Sequence, residues 1–172
     1  MSATLFDSMK QKSLTIHART AEGPILEACE YGFVYMLMRH SPLHQTYPVS
    51  YMQQLVESAL KHKCLKFYFD ELGMPVGYAI WATVADDVEE RFMRSGRWQL
   101  HPSEWNEGTT LWLLDFIAPF GHARAMLDDL ANVFAGTHIA LRYFRVRHNR
   151  LRFGEAQLSR LTRHLEEDRS VA

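Results

Sequence analysis

Segment 110–120, TLWLLDFIAPF, constrains the fold of this chain more than any other stretch of the sequence. Its apolar side chains fall on both faces of an extended strand, and Pro119 ends the run because proline cannot donate to a strand ladder. Strands that are apolar on both faces belong to sheets that are covered by helices. The run is too short to span a bilayer, which requires about 20 apolar residues in a helix. We therefore predict a buried strand within a helix-covered sheet.

The rest of the chain supplies the covering helices and further strands. Apolar residues at helical spacing predict helices, alternation predicts strands, and proline and glycine mark the ends of elements. The predicted elements are helices at 25–40 and 48–62, a β-hairpin at 64–85, a short helix at 86–96, the strand at 110–120, a helix at 122–136, a strand at 138–148 and a terminal helix at 154–167.

The order of these elements, α-α-β-β-α-β-α-β-α, predicts an α+β fold in which a mixed sheet carries helices on its faces. Residues 25–172 are long enough for one domain with a sizeable core. Residues 1–24 lack a clear apolar period, so we predict a mobile N-terminal extension. A similar order occurs in acyltransferases of the GNAT type, although fold alone does not give function.

Charge and cysteine content exclude several classes of protein. The chain has 19 Lys and Arg against 20 Asp and Glu, which argues against a dedicated nucleic-acid binder. The first residues show no signal-peptide pattern and no segment can span a membrane. Cys29 and Cys64 form no CxxC motif, so we expect buried free thiols in a reducing cytoplasm, with a disulfide or a catalytic thiol as the alternative.

Asp115 is the one charged residue in the apolar run, and its position predicts burial. A buried charge without a partner costs several kcal/mol, so Asp115 should have a partner. One interpretation is a structural aspartate that caps a turn or accepts backbone N–H groups. The other is a carboxylate that orients a basic side chain, most commonly histidine.

His44 is the strongest candidate for that basic side chain. It lies in SPLHQTYPVS (41–50), where Pro42 and Pro48 stiffen the connection between two predicted helices. A catalytic base must be held in place by its surroundings, but a loop histidine that merely packs or caps remains the alternative. Pro42 also keeps His40 and His44 off a common helix face, so we expect no metal site. Ser41 lies outside any GxSxG motif and is expected to support the histidine by hydrogen bonding.

Segment 142–152, RYFRVRHNRLR, is locally basic. It is interpreted either as a solvated strand edge, where arginines discourage aggregation, or as a docking surface for an acidic partner or a phosphate.

Three blocks of sequence resemble, in order and spacing, the lysine acyltransferases that activate RTX haemolysins and cytolysins. The blocks are SPLHQTYPVS (41–50), PVGYAIWATV (75–84) and GTTLWLLDFIAPFG (108–121). The resemblance covers residues 35–147, and Tyr47 replaces the tryptophan that is usual in the family.

The resemblance implies a cytoplasmic enzyme with a GNAT-like fold and no bound cofactor. Such enzymes transfer a fatty-acyl chain from a thioester on acyl carrier protein to internal lysines of an RTX protoxin, and they form homodimers. The essential histidine of the family matches His44, the essential aspartate matches Asp115, and a less certain serine matches Ser41. Carrier proteins are acidic, so Arg142, Arg145 and Arg147 become candidates for carrier docking.

These roles agree with the chemistry of lysine acylation, since histidine suits general-base catalysis near neutral pH. A covalent acyl-histidine is the other route, and the sequence leaves both open. The turn PFGHARAM holds a single glycine, Gly121, in place of a glycine-rich phosphate loop, which is consistent with a donor delivered on a carrier. The rival hypotheses are an acyltransferase acting on another protein or a small amine, and a non-catalytic module that holds a toxin or a carrier.

Overall fold

The computed structural model of the chain describes residues 24–96, 99–147 and 150–159. Within these ranges, four helices accompany a five-stranded sheet of order β1-β2-β3-β4-β5. The helices are α1 (Pro24–Met38), α2 (Val49–Tyr51, the π-helical Met52–Val56, and Glu57–Lys61), α3 (Asp86–Ser95) and α4 (Ala123–Phe134). The strands are β1 (Leu65–Phe69), β2 (Pro75–Val84), β3 (Thr110–Ile117), β4 (Ala140–Arg147) and β5 (Arg150–Gln157).

The sheet is mixed, as the sequence predicts. Strands β1, β2 and β3 form an antiparallel meander, β3 and β4 are parallel, and β4 and β5 are antiparallel. Helix α4 connects β3 to β4, because parallel neighbours require a crossover rather than a hairpin. No described helix is long and apolar enough to cross a membrane.

Two apolar layers bury the two faces of the sheet. One layer packs α1, α2 and α3 against Tyr78 and Ile80 of β2 and Trp112 of β3. The other packs α4 against the opposite face, where Leu111 and Leu113 are buried. The predicted burial of β3 on both faces is therefore confirmed, and it places this strand between the two helical layers.

The terminal helix predicted at 154–167 is wrong in its first part. Residues 154–157 belong to β5, and the chain is helical only at Leu158 and Ser159, after which residues 160–172 lie outside the described part. The ring of Phe153 packs 5.5 Å from that of Phe144 on β4, which draws this segment into the sheet. The predicted extension at 1–24 also lies outside the described residues, except for Pro24, which begins α1.

The two cysteines are free, but only one is buried. Cys64 is buried and its thiol donates to Asn106 Oδ1, whereas Cys29 is exposed on α1, away from the buried Val34 and Leu37. The prediction of a buried Cys29 is therefore wrong, because the apolar face of α1 lies elsewhere around the helix.

The loop after α3 is tied down by a bidentate ion pair. Arg91 donates from Nη1 and Nη2 to the two carboxylate oxygens of Glu104, each at 2.7 Å, and Nη2 also donates to Gln99 O. Glu104 accepts a further bond from the His101 N–H at 2.7 Å. Hydrogen bonding from Arg91 is the main cause that lowers the pKa of Glu104 to about 2.

We expect Glu104→Gln to destabilise the fold at neutral pH, and the deficit relative to wild type to shrink in acid. The pKa of Glu104 is lower in the folded chain than its ordinary value of 4.5, so its contribution is complete above that value. This contribution is lost as the pH falls towards about 2. Thermal unfolding followed by circular dichroism across this range measures the effect. The exposed Glu107→Gln serves as control, and a deficit for Glu104→Gln that stays constant in acid would contradict the assignment.

Candidate active site

The segment between α1 and α2 holds His44 in a series of tight turns. Gln45 N–H donates to Ser41 O at 3.0 Å, and Tyr47 N–H donates to His44 O at 3.0 Å, closing the short 3-10 turn His44–Thr46. Pro48 then sets the extended geometry from which α2 begins. His44 is left only 4% exposed, with its backbone fixed on both sides.

A β-bulge in β3 directs Asp115 towards this segment. Ile80 pairs with Asp115 and Trp81 pairs with Leu113, which leaves Leu114 as the extra residue between them. In a regular strand, Asp115 would share a face with Leu113, on the α4 side of the sheet. The bulge restores Asp115 to the face of Ile80, which is covered by α1 and α2.

Ser41, His44 and Asp115 form one hydrogen-bonded chain in the structure. Ser41 Oγ lies 2.6 Å from His44 Nδ1, and Asp115 Oδ1 lies 2.9 Å from His44 Nε2. The side chains of His44 and Asp115 are 5% and 11% exposed, so this ion pair is largely removed from solvent. The structure thus brings together the three residues that the sequence singled out. His44 and Asp115, which we call the dyad, are 71 positions apart in the chain.

The carboxylate of Asp115 has further donors that fix its orientation. The Phe116 N–H donates to Oδ1 at 2.8 Å, Tyr78 Oη donates to Oδ2 at 3.0 Å, and Tyr51 Oη also donates to Oδ2. Burial, and then the negative charge of Asp115, raises the pKa of both tyrosines, so both hydroxyls keep their protons. Hydrogen bonds of this kind stabilise the carboxylate in its charged form.

These donors determine the tautomer of His44. A charged Asp115 accepts from Nε2–H, so the lone pair of a neutral imidazole lies on Nδ1, where the Ser41 hydroxyl donates to it. Nδ1 is then the basic nitrogen, and the carboxylate stabilises the imidazolium that forms when it takes a proton. This arrangement matches that of a general-base histidine oriented by a carboxylate.

A cavity of about 480 Å³ opens beside the dyad. Strands β3 and β4 pair in register at Trp112–Arg142 and Leu113–Tyr143, and the cavity lies just past these pairs, along Asp115 and Arg145. Apolar side chains from the residue before the 3-10 turn and from α4, β4 and β5 supply most of its wall; they include Leu43, Leu127, Leu141, Phe144 and Ala156. Its volume is in the range of small-molecule sites, and its lining suits an apolar ligand next to a polar dyad.

The arginines of the basic segment 142–152 differ in whether a carboxylate pairs with them. The Arg142 guanidinium donates to Glu155 Oε2 at 3.2 Å and forms an ion pair with Glu89. Arg145 and Arg152 are exposed and directly opposite each other in the β4–β5 register, and no carboxylate of the described residues pairs with either. The side chain of Arg147 lies outside the described part of the chain.

His40 does not join the site. It is exposed, and its ring packs 5.0 Å from the ring of Phe120, while His44 is buried. No cluster of three or more metal-ligating side chains occurs among the described residues.

Sequence analysis missed three aromatic residues of the site. Tyr51 and Tyr78 hold the carboxylate, and the ring of Tyr47 packs 4.7 Å from that of His44. Tyr51 lies on the predicted helix at 48–62 and Tyr78 on a predicted strand, where aromatic residues are expected in any core. Only their hydroxyl groups distinguish them from phenylalanine, and that signal acquires meaning once a buried carboxylate is adjacent.

Comparison with known proteins gives consistent results. The sequence profile of the RTX toxin acyltransferase family matches residues 26–157. The chain is similar to lysine-acyltransferase RtxC of Vibrio cholerae, with 35% identity over 58% of this chain and 64% of that protein. It is also similar to the RTX-II toxin-activating lysine-acyltransferase ApxIIC of Actinobacillus pleuropneumoniae, with 28% identity over 60% of this chain and 63% of that protein.

A third relative is the protein-lysine myristoyltransferase RtxC of Kingella kingae, with 27% identity over 62% of this chain and 62% of that protein. In each of these three comparisons, the chain spans less than two thirds of the length of the relative.

We expect Tyr51→Phe and Tyr78→Phe each to lower the free energy of unfolding by about 1.5–3 kcal/mol, because each removes a buried hydrogen bond to a charged group. The double variant should lose more than the sum of the two, since the hydroxyls share one carboxylate oxygen and lie 2.8 Å apart, so that either one partly compensates for loss of the other. Urea unfolding measures both effects. Tyr31→Phe, which removes an exposed hydrogen bond to Glu27, is the control and should change little. Neutral or strictly additive effects would contradict a shared anchoring role.

Proposed function

The chain belongs to the RTX toxin acyltransferase family, and on this premise we propose that it is a protein-lysine fatty acyltransferase. Its donor would be a fatty-acyl thioester on acyl carrier protein, and its acceptors would be internal lysines of an RTX protoxin. The observation that carries this proposal is the buried His44–Asp115 pair at the wall of an apolar cavity. The names of the relatives support a lysine acceptor, a toxin substrate and, in one case, a myristoyl chain.

The reaction requires a base because the acceptor amine is protonated at neutral pH. With an ordinary pKa of about 10.4, roughly one lysine in a few thousand is neutral at about pH 7. The thioester carbonyl is already electrophilic, so removal of a proton from the amine is the step that needs help. A positioned base of this type contributes about 10²–10⁴-fold.

The acceptor ammonium first loses one proton to solvent, and His44 carries the second. The neutral lysine Nζ attacks the thioester carbonyl, a C–N bond forms, and this second proton passes from the nitrogen to Nδ1 of His44. The C–S bond then breaks, the carrier leaves as a thiol after taking that proton, and the neutral imidazole is restored. The products are an acyl-lysine amide and free carrier thiol, and Asp115 remains charged throughout.

Ser41 has a defined place in this scheme. Its hydroxyl occupies the lone pair of Nδ1 in the free protein, so the amine must either replace this hydrogen bond or pass its proton through the hydroxyl. In both cases Ser41 keeps the lone pair directed towards the acceptor before the acceptor arrives.

The cavity between β3 and β4 is the proposed donor site. Its apolar wall would hold the acyl chain, and the dyad at its edge would meet the thioester carbon. Arg145 lines the same cavity and lies opposite Arg152 across β4 and β5. Two like charges directly opposite each other are unfavourable, so an anionic partner would relieve this pair. We assign these two arginines to docking of the acidic carrier, and we do not assign Arg142, which is already paired.

His44→Ala should abolish the mass gain of one acyl chain per modified lysine on a co-purified RTX protoxin, as measured by mass spectrometry. Asp115→Asn keeps the size of the side chain but removes the charge that stabilises the imidazolium, so we expect a loss of about 10²-fold or more. His101→Ala, at an exposed histidine remote from the cavity, is the control and should retain wild-type transfer. Unchanged acylation by His44→Ala, with a wild-type circular dichroism spectrum, would remove His44 from the mechanism.

Arg145→Glu combined with Arg152→Glu should raise the KM for acyl carrier protein by roughly tenfold or more and weaken its dependence on salt. Lys61→Glu, at a cation that is 65% exposed, reverses a charge elsewhere and should leave this KM near wild type. Steady-state kinetics at two ionic strengths measures both. An unchanged KM and salt dependence would place carrier docking on another surface.

A further inference from the structure

A second cavity, of about 590 Å³, is lined in part by the two segments of the chain that also carry His44 and Asp115. It is formed where the end of α1, the turn between β1 and β2, and the segment after β3 converge. We call it the α1–turn groove and define it by Met36, His40, Glu71, Leu72, Met74 and Phe120.

Two segments of the chain contribute residues to both cavities. His40 lies in the α1–turn groove, and His44, four residues later, lies in the donor cavity. Phe120 lies in the groove, and Asp115, five residues earlier, lies in the donor cavity. The rings of His40 and Phe120 pack 5.0 Å apart, as the side chains of His44 and Asp115 bond to each other. The two segments that meet at the dyad therefore meet again in the wall of the groove.

The groove exposes an unusual amount of apolar surface. Leu72 is 88% exposed, Met74 51%, Met36 40% and Phe120 37%. Exposed apolar side chains that cluster around a concavity mark interaction sites more often than isolated ones do. Methionine side chains are flexible and polarizable, which suits binding of segments that differ in sequence.

Apart from His40 and His122, the titratable residues that line the groove are acidic. Asp70 and Glu71 lie at its edge, and no lysine or arginine is among the described residues that line it. The Asp70 carboxylate is positioned by the turn, because its Oδ1 accepts from Leu72 N–H at 3.0 Å and Met74 N–H at 2.9 Å. Such a rim attracts an ammonium group and disfavours the acidic carrier, whose proposed docking residues lie on β4 and β5.

We propose that the α1–turn groove binds the lysine-bearing segment of the acceptor protein, with apolar flanking residues of that segment against Leu72, Met74 and Phe120 and its lysine attracted by Asp70 and Glu71. This inference rests on the proposed function, since it names the acceptor side of the same active site. The acyl chain then reaches the dyad from the β3–β4 side and the amine reaches it from the groove. Holding both reactants at once converts a bimolecular encounter into a reaction between positioned groups.

The test uses two pairs of matched variants of the full chain. Leu72→Asp places a charge on the apolar surface of the groove, and Ile139→Asp, at a position 82% exposed outside it, is its control. Glu71→Lys reverses the charge at the rim, and Glu107→Lys does the same at an exposed glutamate elsewhere. The measurements are the KM for a purified RTX protoxin, the KM for acyl carrier protein, and thioester hydrolysis without acceptor.

We expect Leu72→Asp and Glu71→Lys each to raise the KM for the protoxin by roughly tenfold, while the KM for the carrier and the hydrolysis rate stay at wild-type values. The two controls should leave all three quantities unchanged. An unaltered protoxin KM in both groove variants, with normal acyl transfer, would overturn the groove assignment and leave the proposed function standing.

Other outcomes are equally decisive. Wild-type protein that transfers no acyl chain to the protoxin would overturn the proposed function and, with it, the acceptor assignment. A change of oligomeric state in Leu72→Asp, measured by sedimentation, would show that a second copy of the chain occupies the groove and would overturn the proposal. The proposal would also be overturned if the groove variants and their controls raised the KM for the protoxin to an equal degree.

Discussion

The carboxylate of Asp115 is the interaction on which the rest of the site depends. A charge placed between a sheet and its covering helices costs several kcal/mol unless polar groups surround it. Here an imidazole, two tyrosine hydroxyls and a backbone N–H supply that environment. The donors come from the loop before α2, from α2, from β2 and from β3 itself. One charge therefore joins four separate elements, and the orientation of His44 follows from their packing rather than from its loop alone.

The bulge at Leu114 connects this charge to the architecture of the sheet. It allows β3 to bury apolar side chains on the α4 face and then present Asp115 to the opposite layer. Close to this point, the parallel pairing with β4 ends and the proposed donor cavity begins. The same short stretch of strand therefore determines which face receives the carboxylate and where the cavity opens into the sheet. A π-helical turn directly after Tyr51 lies beside the site, as such turns often do.

Much of this arrangement could be predicted from the sequence, and the residues show why the rest could not. The apolar run at 110–120 required a covered strand, and one aspartate within it required a partner, while two prolines marked His44 as a rigidly held candidate. The bulge has no composition of its own, so the face occupied by Asp115 could not be deduced from alternation. Tyr51 and Tyr78 look like ordinary core aromatics. The β5 strand was mistaken for helix because its pairing with β4 depends on a contact, Phe153 against Phe144, that local periodicity does not show.

The free protein holds the proposed base, His44, in a hydrogen-bonded state, and this affects the order of events that the proposal requires. Nδ1 of His44 bonds to the Ser41 hydroxyl, and His44 is nearly inaccessible to water. A thioester that enters the β3–β4 cavity alone would meet an imidazole already engaged, in a pocket with an apolar lining. Only a nucleophile that can take over the bond from Ser41, or bond to its hydroxyl, gains access to the lone pair.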